Sequence, residues 1–283
     1  MDRKLLSLFG LKFNPFSQQV PVEALLATGP VSHFLWRVEN LAREGGFAMV
    51  DGRPGEGKSA GLRLLQDHLA ALVDVQVGEI SRPHGGVADF YRELGDLFGV
   101  HLSPHNRWAG AKVLRNAWLT HIEQSLFRPV LLIDEAQEMT PETLTELKLL
   151  SSACLDSKML LTVVLAGDHR LKTKFGSEKL LPLGNRIQVR LHFQGATAED
   201  LLSCLQHRIK TAGNPKLITP DLQRTLCEHA AGNYRTLMNT AGELLAAGVK
   251  HEARQLDEQL FLEIFTVPPP KRSKATSGKR ARR

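Results

Sequence analysis

Eight consecutive residues carry the most specific chemistry in the chain. Gly52-Arg53-Pro54-Gly55-Glu56-Gly57-Lys58-Ser59 fits the pattern G-x-x-x-x-G-K-[ST] at every fixed position. Glycines let backbone N–H groups close around phosphate oxygens with no Cβ in the way. A helix starting at the end of the loop adds the partial positive charge of its N-terminus. Lys58 would reach the β- and γ-phosphates, and the Ser59 hydroxyl would ligate Mg²⁺. The expected cradle comprises Gly52, Pro54, Gly55, Glu56, Gly57, Lys58, Ser59 and Ala60. The competing reading is a glycine-rich turn that only caps a helix. The flanks argue against it: Phe47-Ala48-Met49-Val50 reads as a buried strand, and Leu62, Leu64, Leu65 and Leu69 fall at helical spacing.

A second constellation lies downstream. Val130-Leu131-Leu132-Ile133 is an apolar strand ending in Asp134 and Glu135. Asp134 would hold Mg²⁺ through water, and Glu135 would orient and activate the attacking water as general base. A solvated acidic turn would present the same pair, but the phosphate loop upstream favours the catalytic reading. A guanine-specific N-K-x-D motif is absent, so ATP is the expected nucleotide.

These residues need elements to position them. Apolar strands are expected at 47–51, 74–80, 130–134, 159–166 and 187–193. Helical segments lie at 31–43, 58–72, 87–98, 106–127, 141–153 and 169–181. Thr140 and Pro141 form a helix start signal. Strands alternating with helices predict an α/β fold, a mostly parallel sheet covered on both faces. From Gly195 the pattern turns helical, near 197–212, 219–230, 234–248 and 256–265, with Thr197 and Asp200 as a capping box. The expected organisation is an N-terminal segment and helix over 1–45, packed on the core through Phe13 and Phe16. An α/β core over 46–195 follows, then a small all-helical lid over 196–266 and a basic tail over 267–283.

Composition sets the outer limits. The chain has 283 residues, 42% hydrophobic and 23% charged, as in ordinary globular proteins. No segment approaches the roughly 20 apolar residues of a membrane span, and no signal-peptide pattern opens the chain. The expectation is a cytoplasmic protein with no membrane partner. Cys154, Cys204 and Cys227 form no C-x-x-C pair and read as reduced thiols. His84, His101 and His105 lack metal-ligand spacing and read as loop or surface residues. The net charge of +6 is a property of the tail: Lys271, Arg272, Lys274, Lys279, Arg280, Arg282 and Arg283 stand there without an acid. The first 267 residues carry 29 basic and 30 acidic side chains, so overall charge does not argue that the folded body binds nucleic acid.

Together, GRPGEGKS and VLLIDEAQ resemble the AAA+ ATPases. Within them the chain resembles the group that holds the ExeA-type secretion ATPases and the TnsC, TniB and MuB transposition ATPases. Phe9-Gly10-Leu11 with Asn14-Pro15-Phe16 looks like the N-terminal signature of the secretion type. Ile133 to Gln137 looks like its Walker B box, and Val163 to Asp168 like its sensor-1 strand. Gly184-Asn185-Arg186-Ile187 looks like its arginine-finger segment, and Gly232-Asn233-Tyr234-Arg235 like its sensor-2 box. The resemblance implies a P-loop three-layer sandwich with a helical lid, and ATP bound between subunits of a ring or filament. It implies that Arg186 reaches a neighbour's γ-phosphate, with Arg190 as the alternative, and that Arg235 couples nucleotide to lid. A guanidinium suits both roles because its charge is fixed and its planar donors match phosphate oxygens. An ordinary surface arginine and a helix–helix salt bridge are the competing readings. Sensor 1 departs from the family pattern. Asp168 stands where a neutral polar residue is usual, so either a neighbour neutralises it or a nearby residue such as Thr162 is the sensor.

Two functions follow from the resemblance. One is an ATPase that oligomerises on double-stranded DNA and regulates transposition, recruiting a transposase and answering to a target-selection protein. The other is a secretion-associated ATPase, whose relatives are usually longer and carry a transmembrane segment. The basic tail and the lack of such a segment favour the first. Candidate DNA contacts are Arg82, Arg107, Lys112 and Arg115, with Trp108 and Trp118 nearby, and the tail residues Lys271, Arg272, Lys274, Lys279 and Arg280. A solvated charged face explains Lys112 and Arg115 equally well, and a core or interface role explains Trp108 better than base stacking.

Overall fold

The computed structural model describes residues 2–100, 107–124, 127–153 and 158–265. His101, His105, Cys154, the Pro268-Pro269-Pro270 spacer and the tail cations Lys271, Arg272, Lys274, Lys279 and Arg280 lie outside the described residues. The elements run α1 (Asp2–Phe9), α2 (Gly29–Glu44), β1 (Gly46–Asp51), α3 (Lys58–Ala70), β2 (Val75–Ile80), α4 (Val87–Phe98), α5 (Arg107–Glu123) and β3 (Arg128–Ile133). Then come α6 (Pro141–Leu150), the two-residue strands β4 (Ser152–Ala153) and β5 (Lys158–Met159), β6 (Thr162–Gly167), α7 (His169–Phe175), α8 (Leu181–Gly184) and β7 (Ile187–His192). Four helices close the described chain: α9 (Ala198–Thr211), α10 (Pro220–Ala230), α11 (Tyr234–Lys250) and α12 (Glu258–Phe265).

Five strands form one parallel sheet in the order β2-β3-β6-β1-β7. Alternate residues divide its two faces. Phe47, Met49, Leu131, Ile133, Val163 and Leu165 pack with α4, α5, α6 and α7. Ala48, Val50, Val130, Leu132, Val164 and Ala166 pack with α2 and α3. A parallel sheet buried on both faces needs apolar residues at every strand position, which explains the continuous runs in β1, β3 and β6. β7 lies at an edge and alternates buried with exposed residues. A register shift opposite Phe47 and Ala48 puts Ile187 against one face and Val189 against the other.

A third core belongs to α9, α10, α11 and α12, around Leu205, Leu226, Ala241 and Leu244. Local signals start these helices. Thr197 and Asp200 exchange both capping-box hydrogen bonds at α9, Thr219 caps α10 and Asn233 caps α11.

Three expectations need correction. The N-terminal segment packs in two directions: Phe13 joins a small cluster with Val20, Leu25 and the α3 residues Ala60 and Leu64, whereas α1 forms and Leu5, Phe9, Leu11 and Phe16 bury themselves in the helical core. α2 does cover the sheet. The single strand expected over 159–166 is split. Lys158–Met159 pairs antiparallel with Ser152–Ala153, and only Thr162–Gly167 joins the sheet. The helix expected over 106–127 ends at Glu123. Apolar periodicity cannot say which partner an apolar run will find. Among the described residues, no helix is long and apolar enough to cross a membrane.

Candidate functional site

β1 delivers the glycine-rich loop at the carboxyl edge of the sheet. Gly57, with φ of 106°, turns the chain into α3, whose first residue is Lys58. Gly55 also has positive φ, 86°. These conformations are accessible to glycine and strained for other residues. Lys58 is buried, and its Nζ donates to the carbonyls of Gly52 and Arg53, both at 3.0 Å. The buried Glu56 carboxylate accepts from the Arg53 N–H at 2.6 Å. The Gly52–Arg53 segment is therefore tied to both side chains, one acting on carbonyls and one on an amide. Ser59 and Ala60 follow in the first turn of α3, Ser59 exposed and Ala60 half-buried. Pro54 is exposed, and its carbonyl takes part in the lid contact described below.

The strand register brings the acids to the same edge. Asp51 stands opposite Gly167 on β6, and Leu165 stands opposite Ile133 on β3. The loop after β1, Asp134–Glu135 after β3 and Asp168 after β6 thus leave the sheet side by side. Asp134 is half-buried and one of its oxygens, Oδ1, accepts from the Glu135 N–H at 2.8 Å. Glu135 is exposed and has φ of 50°, unusual for a residue with a side chain. Its Oε2 accepts a hydrogen bond from Gln137 Nε2.

Asp168 is buried and caps α7, accepting from the Arg170 N–H. The Arg170 guanidinium donates to both its oxygens through Nε, at 3.1 and 2.9 Å, and pairs through Nη2 with Asp168 and Glu138, both at 2.9 Å. The hydrogen bonds from Arg170 hold the Asp168 carboxyl below its ordinary value, against the opposing effect of burial. Asp168 is thus paired with a neighbouring cation. Thr162 stands opposite Gly46 at the amino end of β6, the far edge of the sheet.

The helical layer closes over the loop through α11. The Arg235 N–H donates to the Gly55 carbonyl at 3.2 Å, and Asn233 Nδ2 donates to the Pro54 carbonyl at 3.0 Å. A Cβ on Gly55 would lie 2.3 Å from Asn233 Oδ1. The Arg235 side chain is exposed. Next to this junction a cavity of about 480 Å³ opens, bounded by Leu25 and Leu26 before α2, Gly57 of the loop, Ala60 of α3, Phe193 after β7 and Tyr234 of α11. Its walls are mainly apolar, as in small-molecule pockets generally. Burial pushes the Tyr234 hydroxyl up to about 12, so it stays protonated near neutral pH. At the cavity's edge His192 Nδ1 meets the buried Asp51 Oδ2 at 2.7 Å, joining the ends of β7 and β1.

Arg186 lies elsewhere. It precedes β7, whose Ile187 pairs with Phe47 near the amino end of β1. The length of β7 separates it from its own loop, about 16 Å at strand rise. Arg190, exposed on β7, donates to the Gly184 carbonyl at 3.0 Å. Arg82 is exposed in the loop after β2, Lys112 is exposed on α5, Arg115 is half-buried and Arg107 opens the same helix. Trp118 is core, edge-on to Phe98 with ring centroids 5.3 Å apart. Cys204 and Cys227 are free thiols.

Residues 41–175 match the family model described as AAA domain. General secretion pathway protein A of Aeromonas hydrophila is 29% identical over 266 residues, covering 92% of this chain and 48% of that protein. The chain thus spans about half the length of this curated relative. Among solved structures, the Aeropyrum pernix ORC2 protein in its ADPNP–ADP complexes superposes with a TM-score of 0.69 at 15% identity, covering 88% of this chain and 70% of that one. The Aeropyrum pernix ORC1 protein in complex with DNA gives 0.65 at 18% identity, covering 93% and 69%. The chain has the fold of the AAA+ ATPases. That fold accounts for the strand order and for a helical layer seated on the phosphate loop.

Sequence reasoning missed three features of this site. Gln137 stands two residues after Glu135, but no spacing singles it out from the rest of that box. Asn233 carries an N-cap signal before α11, but nothing local says that its amide meets Pro54. The cavity draws its walls from four separate segments and has no sequence signature.

Proposed function

We propose that this chain binds and hydrolyses ATP with Mg²⁺, and that nucleotide controls its self-assembly on double-stranded DNA. The observation that carries the reading is the convergence, at one sheet edge, of the loop with Lys58, the acids Asp134 and Glu135, and the lid residue Arg235 beside an apolar cavity. The donor set suits the metal: a free-standing hydroxyl at Ser59 and a carboxylate at Asp134 are hard oxygen ligands. Bound there, Mg²⁺ would offset phosphate charge. Loop N–H groups and the N-terminus of α3 would hold the β- and γ-phosphates, with Lys58 exchanging loop carbonyls for phosphate oxygens. Glu135 would take a proton from the attacking water. The exposed Arg235 would stand over the γ-phosphate, so that hydrolysis is felt by the lid. Arg186 would act on a neighbour's nucleotide, since its place at the opposite edge keeps it from its own. Asp168, paired with Arg170, would serve as a positioning group near the γ-phosphate rather than as a water-orienting sensor.

We infer that the assembled form acts in transposition, binding DNA and recruiting a transposase under the control of a target-selection protein, in the cytoplasm. Support comes from the seven unopposed cations of residues 271–283 and from the fold shared with the ORC1 protein solved in complex with DNA. Arg82, Arg107, Lys112 and Arg115 are proposed as further phosphate contacts. A second reading, a secretion-associated ATPase, is favoured by the 29% identity to the Aeromonas protein.

One substitution separates the two readings. Glu135→Gln with ATP is expected to trap an assembled state that binds double-stranded DNA and weakens steeply with salt. The seven tail cations would contribute up to about 6 units of the log–log salt slope, and deleting residues 271–283 would remove that share. Filter binding or fluorescence anisotropy across salt concentrations measures both. No DNA binding by the trapped variant would sink the transposition reading and leave the secretion reading standing.

A further inference from the structure

Gln137 is 5% exposed and belongs to the short 3-10 turn Ala136–Glu138 that follows the acids. Its side-chain amide is satisfied at both ends. Nε2 donates to Glu135 Oε2, and Oε1 accepts from the Asp168 N–H at 3.2 Å. Its main chain is held as well, because Lys174 Nζ donates to the carbonyls of Gln137 at 2.6 Å and Met139 at 2.7 Å. The amide fits because β6 ends in glycine: a Cβ on Gly167 would lie 2.5 Å from Gln137 Oε1. Arg170 closes a second bridge between the same two turns by pairing with Asp168 and Glu138. The turn after β3 is thus pinned to the start of α7, and the Gln137 amide reaches from that clip to the exposed Glu135 carboxylate.

We propose that Gln137 is the positioning residue for Glu135, fixing the carboxylate against the β6–α7 junction in the orientation that attack on the nucleotide needs. This rests on the proposed role of Glu135 as general base. Glu135 is exposed and sits on left-handed backbone, so little else restrains its side chain. An amide is well matched to this role, since it gives one N–H to the carboxylate and one oxygen to the Asp168 N–H without adding charge. A purely structural role for Gln137 requires only the tie to Asp168. A positioning role requires the donor to Glu135.

Gln137→Glu separates these roles. It keeps an acceptor for Asp168 but removes the donor and sets a second carboxylate against Glu135. The expected result is a fall in kcat of about a hundredfold, the scale of a misplacement of about 1 Å. KM and the affinity for a fluorescent ATP analogue should stay within about twofold, because the interaction is made by the base and not by bound nucleotide. Gln137→Met, neutral and of similar volume, removes both hydrogen bonds: a positioning role predicts the same split with analogue affinity and melting temperature kept, and a merely structural role predicts that these fall too. In a Glu135→Gln background either change should lower the rate no further. Wild-type kcat in both Gln137 variants, beside an inactive Glu135→Gln, would overturn this proposal alone. Equal rates for wild type and Glu135→Gln would overturn the general-base reading and this one with it.

Discussion

At the scale of single residues, the site is organised by side chains that hold other groups in place. Lys58 and Glu56 tie the Gly52–Arg53 segment, and Arg170 neutralises Asp168. A carboxylate beside a triphosphate would repel it, so Asp168 is compatible with the site only because the guanidinium is there. The pair has a pH signature. Asp168 titrates below its ordinary value in the folded chain, so its contribution to stability is complete above that value and is lost as pH falls through the depressed one. Asp168→Asn is expected to cost about 1 kcal/mol near neutral pH, a modest figure because the Arg170 side chain is half exposed. In urea melts the gap between wild type and variant should close on acidification below pH of about 4. A gap that stays constant with pH would show that the carboxylate's charge contributes nothing.

At the scale of elements, the junction between loop and lid is the informative one. The N-terminus of α11 docks on Pro54 and Gly55 through Asn233 and the Arg235 N–H. The helical layer therefore touches the backbone of the glycine-rich loop through the Asn233 amide and the Arg235 N–H, without the Arg235 guanidinium. Gly55→Ala tests this. The residue has positive φ, and its new Cβ would meet Asn233 at 2.3 Å. We expect a loss of stability of roughly 1–3 kcal/mol from the strained backbone. Nucleotide affinity should fall as well, because relief comes most directly from lifting the lid. Differential scanning fluorimetry with and without ATP would reveal both, and an unchanged melt would mean that the junction is already loose. The N-terminal segment strengthens the same layer: α1 joins the helical core, and Arg208 donates to the Pro15 carbonyl at 3.0 Å.

At the scale of the whole molecule, the sheet separates two kinds of chemistry. Its carboxyl edge carries the loop and the acids, and its amino edge carries Arg186. One chain cannot bring these together across β7. On the proposed reading, Arg186 of one copy would complete the site of the next. Mixing tests this. Lys58→Ala should neither bind nor hydrolyse ATP, and Arg186→Ala should bind but hydrolyse about a thousandfold more slowly, the low end of what such an arginine supplies. An equimolar mixture should regain activity, because some interfaces pair an intact loop with an intact arginine. A phosphate-release assay showing no gain on mixing would place Arg186 outside the site.

What the sequence determined by itself was local. The phosphate loop, the acidic strand end, the Thr140 and Thr197 caps and the apolar strands are contiguous runs whose spacing has direct physical meaning. The α/β class followed from their alternation. Tertiary structure decided everything that depends on which strands lie side by side. Asp134 and Asp168 leave the sheet next to the loop because the order is β2-β3-β6-β1-β7, an order that no periodicity encodes. The same order sent Thr162 to the far edge. Gln137 reaches the Asp168 N–H across 31 residues, and Asn233 reaches Pro54 across 179. Hydrogen bonds of that span come from packing, so they could be found only once the packing was known.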